Sequence, residues 1–117
     1  MNPETFVNRV RSAIIEENIS TYKNFFESTS LDDATDPYWK RALVFYQSHN
    51  ESDRTVLLEI VRQVMDDTVS NVFAVLDGVS SLDGSPEDFD LIAKSNGQQI
   101  NGSLQDLFLE ADERERQ

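Results

Sequence analysis

The sequence predicts a mainly α (α+β) chain, with three unequal helices, a small β-hairpin near 89–100 and a short C-terminal helix. Three observations carry that prediction. Apolar residues recur at three- and four-residue spacing in stretches between Phe6 and Leu76, each opened by a capping residue. At Phe89–Lys94 the spacing shortens to two, and the turn pair Asn96-Gly97 follows. From Ser103 the helical spacing returns. A length of 117 residues, 38% apolar and 27% charged, suits one compact domain over residues 1–117.

The first helix opens at Asn2-Pro3-Glu4, which supplies a capping side chain, a proline at the first helical position and an acid for the dipole. Phe6, Val10, Ala13 and Ile14 share one face, whereas Ile15, Ile19, Tyr22 and Phe26 share a rotated one. That drift predicts a bend or interruption near Asn18–Ser20. The polar stretch ESTSLDDATD reads as a loop. Asp36-Pro37 starts the second helix by the same capping logic. Its expected core arc is Trp39, Ala42, Leu43 and Tyr46, widened by Tyr38 and Phe45, with Lys40, Arg41, Gln47 and Ser48 opposite. His49 falls where that helix frays.

The longest periodic element runs from a Ser52 cap to a stop at Asp77-Gly78. Leu57, Leu58, Val61, Val64, Met65, Val69, Val72, Val75 and Leu76 fill one arc, the expected core face. Glu59, Arg62, Gln63, Asp66, Asp67, Ser70 and Asp77 fill the other. Val72–Leu76 is also rich in strand formers, but the helical period outweighs that preference. Gly78–Asp88 reads as a loop. Phe89, Leu91 and Ala93 alternate into a strand, Asn96-Gly97 makes a type I′ turn, and Gln98–Ile100 returns. Ser103 and Asp106 form a capping-box-like start to the last helix, whose stripe is Leu104, Leu107, Phe108 and Ala111. Residues 112–117 are expected to fray as an acidic and polar tail.

Charge narrows the function classes. Twenty-two acids against ten bases leave −12, and the imbalance is concentrated: residues 1–62 carry −3 and residues 63–117 carry −9. Such a field repels nucleic acid and anionic lipid and attracts cationic partners. The absence of cysteine, of an apolar leader and of a long apolar run leads to a cytoplasmic expectation. The sequons at Asn18, Asn50 and Asn101 carry no meaning in that compartment.

Catalytic chemistry finds few parts. With one His and no Cys, no nucleophile–base pair suggests itself, and no catalytic residue is assigned. SNGQQINGS lacks the spacing and the lysine of a phosphate cradle, so its glycines are turn residues. DDATD and LDGSPEDFD lack the ligand spacing of a calcium loop, and no Glu-x-x-His motif exists. The expectation is therefore no metal and no cofactor.

Binding has more material. Glu59, Asp66 and Asp77 align on the long helix with Phe73 beside them, an apolar ring within an acidic stripe. Asp67, Asp88 and Asp90 extend it, making a candidate patch for a basic protein surface. In size, acidity and lack of cysteine the chain is similar to the small immunity proteins and antitoxin-like inhibitors of bacteria. That resemblance implies neutralisation of a basic partner such as a nuclease toxin; no motif carries residues over. The alternative is a structural or adaptor protein that self-associates through the aromatic helix around Trp39.

Overall fold

Asn2 caps the first helix as expected, its side-chain oxygen accepting the Thr5 N–H at 2.8 Å. The structure, a computed structural model, describes residues 1–85 and 87–116; Pro86 of the expected loop and Gln117 of the expected tail lie outside them. The N-terminal helix has three parts: α1 (Pro3–Val10), a π-helical segment (Arg11–Glu16) and α2 (Glu17–Ser28). The change of apolar face is real, but it is absorbed at Arg11–Glu16 rather than near Asn18–Ser20. A π segment adds residues to a turn and so rotates the faces on either side of it. Val7 and Ile15 are buried by this arrangement, as is Arg11, while Ala13 and Ile14 turn to solvent.

The second helix, α3 (Pro37–Gln47), starts where predicted, with Asp36 accepting the Tyr38 N–H at 2.8 Å. Leu43 and Tyr46 are buried, but Tyr38 and Phe45, expected to widen the core arc, are exposed. Arg54 closes this helix from outside: its guanidinium donates to the carbonyls of Tyr46 and Gln47 at 3.0 and 3.1 Å and lies over the Tyr46 ring.

The long helix, α4 (Glu51–Leu76), is helical throughout Val72–Leu76. Its cap is Asn50 rather than Ser52, accepting the Asp53 N–H at 2.8 Å. Gly78, at φ 80°, ends it in a Schellman turn in which the Val79 N–H reaches the Ala74 carbonyl at 2.9 Å.

The hairpin is shorter than expected. Strands β1 (Ile92–Ala93) and β2 (Gln98–Gln99) pair antiparallel, Ile92 opposite Gln99 and Ala93 opposite Gln98. Lys94–Gly97 forms a four-residue loop in place of a two-residue type I′ turn. The N–H groups of Asn96 and Gly97 both reach the Ala93 carbonyl, and Gly97 supplies the positive φ of 69°. The last helix, α5 (Leu104–Arg116), runs through the residues expected to fray, because its final turn is tied into the body by charge pairs.

The main core lies where α1, the π segment, the end of α4 and α5 meet. Val7, Ile15, Phe73, Leu104 and Phe108 form it, with Phe73 edge-on to Phe108 at 5.6 Å between ring centroids. An aromatic cluster holds α3 on α2: Trp39 packs on Phe25 at 5.1 Å and Phe26 stacks on Tyr46 at 4.7 Å. The body is drawn out, 49 × 34 × 27 Å, with a radius of gyration of 17.8 Å. A compact chain of this length has about 13 Å.

Candidate interaction surface

The acidic stripe expected on α4 is not assembled at the surface. Glu59 and Asp67 are exposed, but Asp66 is only 3% exposed and Phe73 belongs to the main core. Asp77 is used internally: its carboxylate accepts the N–H groups of Gly102 at 2.6 Å and Gln105 at 2.9 Å. It therefore caps α5 across the fold, the role that Ser103 was expected to fill. Asp88 and Asp90 are exposed on the segment before the hairpin, and Asp90 accepts from the Gln99 side chain at 3.0 Å. Asn101 joins this segment to α4, its amide donating to the carbonyls of Leu76 at 2.5 Å and Phe89 at 2.7 Å.

The inward side of α4 is polar in its middle because it meets a cluster of arginines. Arg11, 3% exposed, pairs with Glu115 and lies 3.7 Å from Asp112, with its guanidinium over the Phe108 ring. Arg116 lies 3.6 Å from Asp66 and 3.1 Å from Asp112. Arg62, four residues before Asp66 on the same helix, pairs with Glu16 and reaches Glu115 at 3.5 Å. Three arginines thus meet four carboxylates, so part of the acid excess is matched inside the fold.

Two carboxyls feel this environment in opposite directions. Burial, followed by the charge of Asp112, pushes the Asp66 carboxyl above its ordinary value. Neither Asp66 oxygen accepts a hydrogen bond within the described residues. Hydrogen bonding from Arg62 holds Glu16 below its ordinary value. A polar groove of about 770 Å³ opens beside the cluster, lined by Glu16, Glu59, Arg62, Gln63, Asp112 and the α5 end. Asp66, the carboxyl raised by burial, does not line it. His49 has its Nδ1 2.7 Å from the Phe45 carbonyl, which makes it part of the α3 terminus.

The outward side of α4 carries part of the arc that periodicity assigns to the core, together with Val56 and Ile60. Val56, Ile60, Val64 and Val72 are 49%, 56%, 58% and 54% exposed. Leu57, Val61 and Val75 are half-buried beside them, with exposed Thr68 and Asn71 between. On the wheel Leu57, Val61, Val64, Thr68, Asn71 and Val75 lie opposite Asp66, Ser70, Phe73 and Asp77, while Val69 and Leu76 of the expected arc pack against the core, so part of the apolar arc points out. Ile14, also exposed, continues the surface across a shallow apolar groove of about 190 Å³ between the π segment and Val64–Val69. At the other end, Asn18, Thr21, Tyr22, Phe25 and Trp39 line a groove of about 420 Å³.

Of the arc expected in the core, Val69 and Leu76 pack against it, whereas Val64 and Val72 face solvent. A clean period does not say which face a bundle covers. No family model matches the chain, and neither the curated proteins nor the solved structures searched gave a match. Among the described residues, no helix is long and apolar enough to cross a membrane, and no group of three or more His, Asp or Glu side chains is placed to hold a metal ion.

Proposed function

We propose that this protein works as an adaptor, binding another polypeptide through the outward apolar face of α4. One observation carries the reading: the long helix turns Asp66, Ser70 and Asp77 inward and leaves Val56, Ile60, Val64 and Val72 in solvent. A contiguous apolar patch of this kind is a liability for a monomer and an asset for a docking surface. Helix-in-groove or helix-on-helix packing suits it, because the exposed residues recur along one helical face.

A basic partner, as in an inhibitor of a nuclease, draws its support from the exposed acids Glu59, Asp67, Asp88 and Asp90 and from the −9 of the C-terminal half. It loses Asp66, Phe73 and Asp77 as contact residues, so the apolar face is the better-supported surface. Association through α3 rests on exposed Tyr38, Val44 and Phe45; Trp39 itself is packed against Tyr22 and Phe25.

A photo-activatable residue at position 64 tests the reading, with the same residue at Glu110 as control. Crosslinking in native lysate is expected to join one discrete polypeptide at position 64 and none at 110. Equal labelling at both positions, or none at 64, contradicts it.

A further inference from the structure

Resting on that reading, we infer that the polypeptide bound by the α4 face is a second copy of this chain, the two α4 helices pairing in parallel as a short coiled coil. The spacing of the outward residues argues for a helix as the occupant. Leu57, Val61, Val64, Thr68, Asn71 and Val75 follow one another at intervals of four, three, four, three and four. That is a heptad seam, with Val61, Thr68 and Val75 at a and Leu57, Val64 and Asn71 at d. β-Branched residues at every a position favour a two-stranded pair. The seam is about 27 Å long at 1.5 Å per residue.

Three further observations select a copy of the same chain. The first is charge. Flanking the seam are Leu58, Met65 and Val72 on one side and Ile60 and Asp67 on the other, where the next position, Ala74, is buried in the fold, so Asp67 is the one charged residue among them. Of the other acids of α4, Asp66 is turned inward beside Arg116, and Glu51, Asp53 and Glu59 lie before the seam or behind it. The second is area. The exposed portions of the seam, its flanks and Ile14 amount to roughly 500 Å² a side, and two such faces reach the ~1,000 Å² at which specific interfaces begin. The third is the polar pair Thr68 and Asn71, which lie off the seam's centre. Parallel pairing sets each against its own twin, where the two Asn71 amides satisfy one another. Antiparallel pairing would set them against Val64 and Val61 and leave the amide unmatched.

Salt separates this partner from a basic one. Two bodies of −12 repel each other, so added salt strengthens their pairing, whereas it weakens attraction to a cation.

Sedimentation equilibrium from micromolar to near-millimolar concentration tests the inference on the intact chain and on Val64→Glu. The native cysteine-free background also permits a Val64→Cys variant, with Glu110→Cys as control. The wild type is expected to reach twice 13.4 kDa, more readily at higher salt. Val64→Glu is expected to weaken pairing by about a hundredfold or more while keeping its helical circular dichroism. Val64→Cys is expected to form an intermolecular disulfide that Glu110→Cys does not. A dimer that Val64→Glu leaves intact, or one in which Val64→Cys fails to crosslink, overturns the parallel α4 seam. A monomer at every concentration overturns the second copy; if position 64 still photo-crosslinks a different polypeptide, the docking face stands with another occupant. A monomer without such a crosslink removes both.

Discussion

Asp77, the residue that ends α4, accepts the backbone N–H of Gln105 at 2.9 Å in the first turn of α5. With the Gly102 N–H on its other oxygen, one carboxylate both follows one helix and caps another. Asp77→Ala is therefore expected to cost about 1–2 kcal/mol in urea unfolding. Hydrogen exchange at Gln105 is expected to speed up more than at Phe108. An unchanged Gln105 amide would show that Ser103 can cap α5 unaided.

Arg11 is the buried hub of the charge cluster, held by Glu115 and Asp112 and resting on Phe108. Arg11→Met keeps much of the side-chain volume and removes the charge, leaving Asp112 and the raised Asp66 without it. The expected loss is about 3 kcal/mol. Chemical denaturation reads it directly, and a loss near zero would mean that the carboxylates are satisfied by Arg62 and Arg116.

Asp66→Asn is expected to stabilise the protein at neutral pH, on the order of 1 kcal/mol. The sign follows from linkage. A carboxyl raised by folding binds its proton more readily in the native state, so its ionised form costs stability above that raised value. As pH falls through it, the cost disappears and the variant's advantage is expected to close. Glu16 acts in the other direction: held low by Arg62, it contributes stability above its unfolded value that is lost as pH falls through the folded one. Comparing Asp66→Asn with wild type across the acidic range separates the two. An advantage that grows towards acid pH would contradict the assignment.

How much of this was legible in the sequence depends on what each element needed. Capping by Asn2 and Asp36 is local, and both were readable from two or three residues. The α5 stripe was equally plain, since Leu104, Phe108 and Ala111 are buried as spaced. Local rules came close but missed at Asn50, where an asparagine two residues upstream displaced Ser52, and at the hairpin, where the loop took four residues. The outward turn of Val64 and Val72 was not legible, because an amphipathic helix states two faces and not how far its neighbours cover each. Arg11, Arg62 and Arg116 come from three separate segments, and only their convergence makes Asp66 an interior residue. That convergence withdrew Asp66 from the expected binding patch, the core withdrew Phe73, and the capping of α5 withdrew Asp77.

Asn101 belongs to that long-range class. Its amide bridges the carbonyls of Leu76 and Phe89, and its oxygen accepts the Leu91 N–H at 2.9 Å. Asn101→Ala leaves three backbone groups without this partner, and a cost of about 2 kcal/mol is expected. Amide exchange at Leu91 is expected to rise with it; protection that persists would place the hold on this segment elsewhere.

The orientation of α4 is tested most directly by comparing Val64→Glu with Phe73→Ala in urea unfolding at dilute concentration, where the chain stands alone. With the apolar arc outward, Val64→Glu changes stability by no more than about 0.5 kcal/mol. Phe73→Ala, which empties a place between Phe6 and Phe108, costs about 3 kcal/mol or more. The reverse order, a severe Val64→Glu beside a mild Phe73→Ala, would mean that the apolar arc is the buried one and that α4 offers no docking face.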